Sequence, residues 1–151
     1  MEVSVRLNSC NLLLNSSKYV VYQALFNEKE RIRIVTSKEQ FEGLRILVMP
    51  RKIIYEPELE EALIGFVKNG GKLIATADFF RKNTENVYLT RVPEIYKLLF
   101  GSNCNDFFHE EIEEKKPVVR ECILGSGKAF IISEDADLDD WKMIKEKLFY
   151  T

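Results

Sequence analysis

Histidine is nearly missing from this 151-residue chain, with His109 the only one. Cysteine is also scarce: Cys10, Cys104 and Cys122 are odd in number and far apart, with no Cys-x-x-Cys pair. A structural zinc site needs four nitrogen or sulfur ligands at close spacing, which this set does not offer. The same dispersal excludes a disulfide framework and points to free thiols in a reducing compartment. No metal and no cofactor are expected.

The chain lacks three further features. No apolar run is long enough to cross a bilayer. The N-terminal segment Met1-Glu2-Val3-Ser4-Val5-Arg6 starts a strand and has no apolar signal core. A basic excess is absent too, because the net charge is -2. Neither nucleic acid nor an anionic membrane is therefore an expected partner, and the basic pairs Arg51-Lys52 and Lys115-Lys116 read as solvated surface. The expected location is cytoplasmic. Internal repeats and low-complexity linkers are absent as well.

What remains is an ordinary globular composition, 46% hydrophobic and 30% charged, of a length that fits one domain with a real core. The clearest unit runs from Glu56 to Asp78. Pro57 suits a first helical turn, where its missing N–H costs nothing. Leu59, Ala62, Leu63, Phe66 and Val67 then recur at helical spacing. Glu58, Glu60 and Glu61 lie early and Lys68 late, as the helix dipole prefers. Gly70 can close the helix in a left-handed conformation. Lys72 to Ala77 follows as a buried strand.

Other segments fall into place around that unit. Val3 to Leu7 and Arg31 to Val35 read as strands, the second nearer a sheet edge. A helix is expected from Lys18 to about Glu28, and a short helical turn at 37–43. Leu44 to Met49 is nearly continuous apolar sequence, as a strand covered on both faces requires. Phe79 to Arg91 reads as a loop. Pro93 starts a helix with Ile95, Leu98 and Leu99 inward. Pro117 to Leu124 and Lys128 to Ser133 form a hairpin around Gly125-Ser126-Gly127. Asp137 caps a last helix bearing Leu138, Trp141, Ile144 and Leu148. The order predicts an α/β fold: a three-layer α/β/α sandwich, flavodoxin-like, with a mainly parallel sheet and a C-terminal antiparallel hairpin.

Functional groups on such sheets collect past the carboxyl ends of the strands. Asp78 occupies that place, with Asn8 and Arg51 at the ends of neighbouring strands and Arg81 close by. Together the four could bind a hydroxylated or cationic ligand, or Asp78 could act as a base, while the structural alternative has Asp78 capping local backbone or pairing with Arg81. The turn Ala77-Asp78-Phe79 is not the glycine-flanked elbow that lifts a serine or cysteine nucleophile, so no strained elbow is expected. Cys10 could serve as a nucleophile only with a base, and no spacing ties it to His109. The run Glu110, Glu111, Glu113, Glu114 lacks calcium-loop spacing. Gly125-Ser126-Gly127-Lys128 lacks both the first glycine and the final Ser or Thr of a phosphate loop, and reads as a hairpin turn. The aromatic pairs Phe79-Phe80 and Phe107-Phe108 are either core plugs or an exposed interface patch.

Several stretches carry a family likeness. They are Phe41-Glu42-Gly43-Leu44-Arg45-Ile46-Leu47-Val48-Met49-Pro50, Phe66-Val67-Lys68-Asn69-Gly70-Gly71, Lys72-Leu73-Ile74-Ala75-Thr76, and Val92-Pro93-Glu94-Ile95 leading to Leu98-Leu99-Phe100-Gly101. With Gly125 to Ile132, they resemble the trimerisation domain of family-42 β-galactosidases, which has a class I glutamine amidotransferase-like fold. The resemblance implies that 1–151 is a single domain of that kind. It also implies a non-catalytic assembly or accessory role: self-association, with a trimer as one form, or membership of a glycosidase subunit. No catalytic residue carries over. Two alternatives stand beside it, a sugar-like small-molecule site at Asn8, Arg51, Asp78 and Arg81, and a cysteine hydrolase or amidotransferase built on Cys10.

Overall fold

In the computed structural model the described residues are 2–6, 31–35, 37–50, 52–101, 119–133 and 136–149. The expected helix from Lys18 to Glu28 lies outside them. Strands β1 (Glu2–Arg6), β2 (Arg31–Val35) and β3 (Ile46–Met49) are followed by helix α1 (Pro57–Lys68) and strand β4 (Lys72–Thr76). Helix α2 (Glu94–Phe100), the strands β5 (Val119–Leu124) and β6 (Gly127–Ile132), and helix α3 (Leu138–Phe149) complete the order. A 3-10 turn covers Lys38–Phe41.

The six strands form one sheet in the order β2-β1-β3-β4-β6-β5. All neighbours are parallel except β5, which runs antiparallel to β6. With β6 in fifth place, the parallel part follows the doubly wound order of flavodoxin-like sheets. Arg31 to Val35 forms one end of the described sheet, as its alternating charge suggests.

Period-two alternation divides the strand residues between two buried faces. Leu47, Met49, Leu73, Ala75, Ala129 and Ile131 share one cluster with Leu59, Leu63 and Val67 of α1 and Ile95, Tyr96 and Leu99 of α2. Val48, Ile74, Phe130 and Ile132 are also buried but fall outside it, as do Trp141 and Ile144 of α3. Both faces are therefore covered, which explains why β3 is apolar throughout and β4 is apolar from Leu73 to Ala75. Each fully buried aliphatic side chain contributes about 1.5–3 kcal/mol.

The end of α1 shows how glycine positions the hairpin. Gly70 adopts φ 102. Its N–H donates to the Val67 carbonyl at 3.0 Å, and the Gly71 N–H to the Phe66 carbonyl at 2.9 Å. These two bonds make a Schellman closure. The next orphan carbonyl, that of Lys68, accepts from the Ser126 N–H at 3.1 Å and the Ser126 hydroxyl at 2.8 Å. Thus Gly125-Ser126-Gly127 turns a two-residue hairpin and also caps α1. It presents donors to a helix C-terminus, the opposite of a phosphate cradle. The last helix starts as expected, with the Asp137 carboxylate accepting from the Asp140 N–H at 2.9 Å.

One expectation needs correction and another needs widening. Lys52 does not belong to a solvated pair: it is 5% exposed and its ammonium meets Glu56 at 2.9 Å. It lies three residues past the end of β3, where its carbonyl accepts from the Phe80 N–H of the turn after β4. In α2 the inward face also includes Tyr96, which is fully buried, while Leu98 is half-buried against the same core. A tyrosine was overlooked there because its polar end also finds partners inside.

Candidate functional site

The carboxyl edge of β4 is where function was expected, and its geometry is that of a fastened turn. Residues 77–80 leave the strand as a tight turn. The Ala77 N–H donates to the Ile132 carbonyl at 2.8 Å, the Phe79 N–H to Thr76 at 3.1 Å and the Phe80 N–H to Lys52 at 2.9 Å. Phe79 and Phe80 are both fully buried, so this aromatic pair is a core plug. Phe107-Phe108 lies outside the described residues.

Tyr96 closes the turn from beneath. Its ring stacks on Phe79 with centroids 4.5 Å apart and planes 12° apart. The hydroxyl lies 2.5 Å from the Phe79 carbonyl and 3.2 Å from that of Ala77. A phenol has one proton, so the shorter contact is the main bond.

Asp78 and Arg81 are both half-buried at this edge. The Thr76 hydroxyl donates to the Asp78 carboxylate at 2.6 Å. Arg81 donates from Nη2 to the Ala77 carbonyl at 2.9 Å, and its guanidinium lies 5.6 Å from the Tyr96 ring centre. Each side chain thus braces the turn it belongs to. Asn8 and Arg51, the other candidate site residues, lie outside the described residues, as do Cys10, Cys104, His109 and the acidic run from Glu110.

The backbone departs from expectation at one point. Phe80 takes the left-handed conformation with φ 55. For a bulky residue that costs about 1–3 kcal/mol and persists only where the surroundings impose it. Here the Lys52 carbonyl holds the amide, and the ring packs edge-on against Tyr55 with centroids 5.4 Å apart. The strain buries an aromatic ring. A nucleophile elbow would aim a side chain outward.

A second group of polar residues, missed in the sequence, links α1 to α2. Glu60 is 8% exposed. Its carboxylate accepts from the Tyr55 hydroxyl at 2.9 Å and from the Ile95 N–H at 3.3 Å. Burial, then the Glu60 bond and charge, push the Tyr55 phenol from 10.0 up to about 12. Two open grooves flank α1. One, of about 530 Å³, lies at the carboxyl edge between Ser37 and Thr84, lined by Tyr55, Pro57 and Leu59 together with Lys38, Glu39, Glu56 and Glu58. The other, of about 580 Å³, follows α1 past Phe41 and Phe66 to Gly71. Neither groove is lined by Asp78 or Arg81. Among the described residues no group of three His, Cys, Asp or Glu could hold a metal ion. No described helix is long and apolar enough to cross a membrane.

A doubly wound α/β domain with its strand-tip turn packed shut is the class of protein these features define. The sequence pattern of the β-galactosidase trimerisation domain matches residues 8–121. The chain belongs to that family. A search of curated protein sequences finds no match. Among solved structures, β-galactosidases share the fold. That of Rahnella sp. R3 gives a TM-score of 0.72 at 13% identity, covering 96% of this chain and 31% of that one. A catalytic mutant of Gan42B, a GH42 β-galactosidase from G. stearothermophilus, gives 0.68 at 12% identity, covering 97% and 30%. The β-galactosidase of Bacillus circulans sp. alkalophilus gives 0.67 at 12% identity, covering 96% and 31%. The chain therefore spans about a third of the length of these galactosidases.

Proposed function

We propose that this chain is a non-catalytic assembly or accessory domain in a glycosidase context, acting by self-association into a trimer or as part of a glycosidase subunit. The observation that carries the reading is the closed turn after β4, taken with the family match over 8–121. On this sheet the residue at the strand tip would have to reach a substrate, yet Asp78 is bound by Thr76 and its neighbours are buried aromatics. We read 1–151 as one amidotransferase-like domain in the cytoplasm, a reading favoured by three dispersed cysteines. Sedimentation velocity over a wide concentration range, run beside a chromogenic galactoside assay, tests the assignment. Concentration-dependent association without hydrolysis supports it. Hydrolysis by the chain alone rejects it, as does a monomer throughout that also fails to bind a glycosidase subunit.

A second reading keeps a sugar-like ligand at Asn8, Arg51, Asp78 and Arg81. Its support is the half-exposed position of Asp78 and Arg81 on the carboxyl edge. Thermal shift with galactose decides it: Asp78→Ala must remove any stabilisation seen in the parent. The cysteine-hydrolase alternative rests on Cys10 alone, and a normal thiol pKa there, read from labelling against pH, rejects it.

A further inference from the structure

We propose that Asn69-Gly70 is a site of spontaneous deamidation guarded by the closure of α1, and that its isoaspartyl product releases the β5–β6 hairpin from the helix. The inference is independent of the assembly reading.

Of the chain's asparagines only Asn69 is followed by glycine. Asparagine loses its amide when the next residue's main-chain nitrogen attacks its side-chain carbonyl carbon. Glycine puts no side chain in the way of that attack. Asn69 is the C-cap of α1, and both it and Gly70 are exposed. The fold imposes the pair. Gly70 sits at φ 102, where residues with a side chain are strained, so the closure needs the glycine that makes its neighbour labile.

The closed form blocks the reaction. The Gly70 N–H is committed to the Val67 carbonyl at 3.0 Å, and the Asn69 N–H to that of Gly65 at 3.1 Å. With Asn69 at ψ 14, the Gly70 nitrogen is turned away from Asn69 Cβ. Ring closure requires the two to eclipse, so the peptide must rotate and the Schellman bonds must break. The hairpin resists that rotation. Ser126 donates twice to the Lys68 carbonyl, and the Lys128 N–H donates to that of Gly71 at 3.2 Å. Asn69 and Gly70 thus lie between two residues clamped by the same hairpin.

When the closure opens, the Gly70 nitrogen gives its proton to solvent and bonds to Asn69 Cγ. The Cγ–Nδ2 bond breaks and ammonia leaves. Water then opens the succinimide at either carbonyl. Opening at Cγ gives aspartate, and opening at the main-chain carbonyl gives isoaspartate. Both place a negative charge at the helix C-terminus, where the dipole disfavours it. Isoaspartate also adds a carbon to the main chain between Lys68 and Gly70. Packing here leaves no slack: a Cβ on Gly71 would lie 2.6 Å from the Phe66 carbonyl oxygen. The lengthened chain cannot restore both the Schellman bonds and the hairpin's bonds to Lys68 and Gly71.

The test incubates the full chain in mildly alkaline buffer, folded and in urea, and follows the Asn69 peptide by mass and by isoaspartyl methyltransferase labelling. The folded chain should convert at least about tenfold more slowly than the unfolded one. Ser126→Ala removes an exposed side-chain bond and should still fold. It should convert about threefold faster than the parent when folded, and at the parent's rate in urea. Asn69→Gln should abolish the charge gain. The isoaspartyl form, separated by ion exchange, should melt below the parent. Equal rates folded and unfolded overturn the guard, and no conversion in urea overturns the site. A folded Ser126→Ala rate equal to the parent's overturns the hairpin's part in the guard. An isoaspartyl form that melts with the parent overturns the release.

Discussion

Replacing Tyr96 with phenylalanine removes a single oxygen from beneath the turn after β4. The ring would keep its stack on Phe79 at 4.5 Å and its contact with Phe100 at 5.8 Å. What disappears is the O–H that satisfies the Phe79 carbonyl at 2.5 Å. The Ala77 carbonyl still has Arg81 at 2.9 Å, so the loss falls mainly on Phe79, which is fully buried. A buried acceptor left without its donor costs about 1–3 kcal/mol. The expected loss is therefore about 2 kcal/mol, or a drop in Tm of roughly 4–8 °C for a domain of this size. Urea unfolding and thermal melts followed by circular dichroism measure both. Tyr96→Leu should cost more, since it also forfeits an aromatic pair worth about 0.5–1.5 kcal/mol. A change below about 0.5 kcal/mol in Tyr96→Phe would refute the reasoning, because those carbonyls would then have another way to be satisfied.

The remaining predictions concern the core, the hairpin and titration. A methyl group at Gly127 would collide with the carbonyl oxygens of Val67 and Gly71, both backbone atoms that cannot swing aside. Gly127→Ala should therefore cost at least about 2 kcal/mol by urea unfolding, and a neutral result would place the hairpin away from α1. Leu63→Ala, at a fully buried site, should cost about 2–5 kcal/mol, whereas Met143→Ala, at 53% exposure, should be near neutral in the same assay. Tyr55, with its folded pKa raised to about 12 against 10.0, ionises first in the unfolded chain. Its contribution is intact below pH 10, declines as pH rises from there and is gone above about 12, so Tyr55→Phe should flatten the alkaline fall in stability. Cys122 is buried, and burial, partly offset by Arg120 and reinforced by Glu121, raises its thiol pKa. In a Cys10→Ser, Cys104→Ser background it should resist alkylation until denaturant is added; prompt labelling of the native chain contradicts that.

Much of the fold was readable from local pattern. Pro57, the apolar stripe from Leu59 to Val67 and Gly70 marked α1 almost to the residue, because cap and stripe agree. The run Leu44 to Met49 announced a strand covered on both faces, though pairing begins at Ile46. The Gly-Ser-Gly turn announced its hairpin, but not that the same turn would cap a helix 58 positions earlier in the chain. That partnership depends on tertiary approach, and no local signal carries it.

The candidate site was readable in place and misread in use. The sheet rule put Asp78 and Arg81 at the carboxyl edge, where they are, but it cannot say whether a polar side chain faces a ligand or its own turn. Lys52, Glu60 and Tyr96 were missed for a related reason. Each is amphipathic or charged and is buried by a partner distant in sequence or on another element, Tyr96 by a carbonyl 17 positions away and Glu60 by an amide 35 away. One sign was available: Tyr96 stands one position after Ile95 on a helix, where a two-residue apolar step widens the inward stripe. Phe80 gave no sign, since left-handed backbone at a phenylalanine arises only from its surroundings.

Native mass spectrometry of the full chain, sprayed from near-neutral buffer across a range of concentrations, tests the central claim most directly. A species of three chains that grows with concentration, with no turnover of a galactoside in the same sample, is the predicted result. A single-chain species at every concentration would contradict self-association, and steady release of galactose would contradict the non-catalytic role.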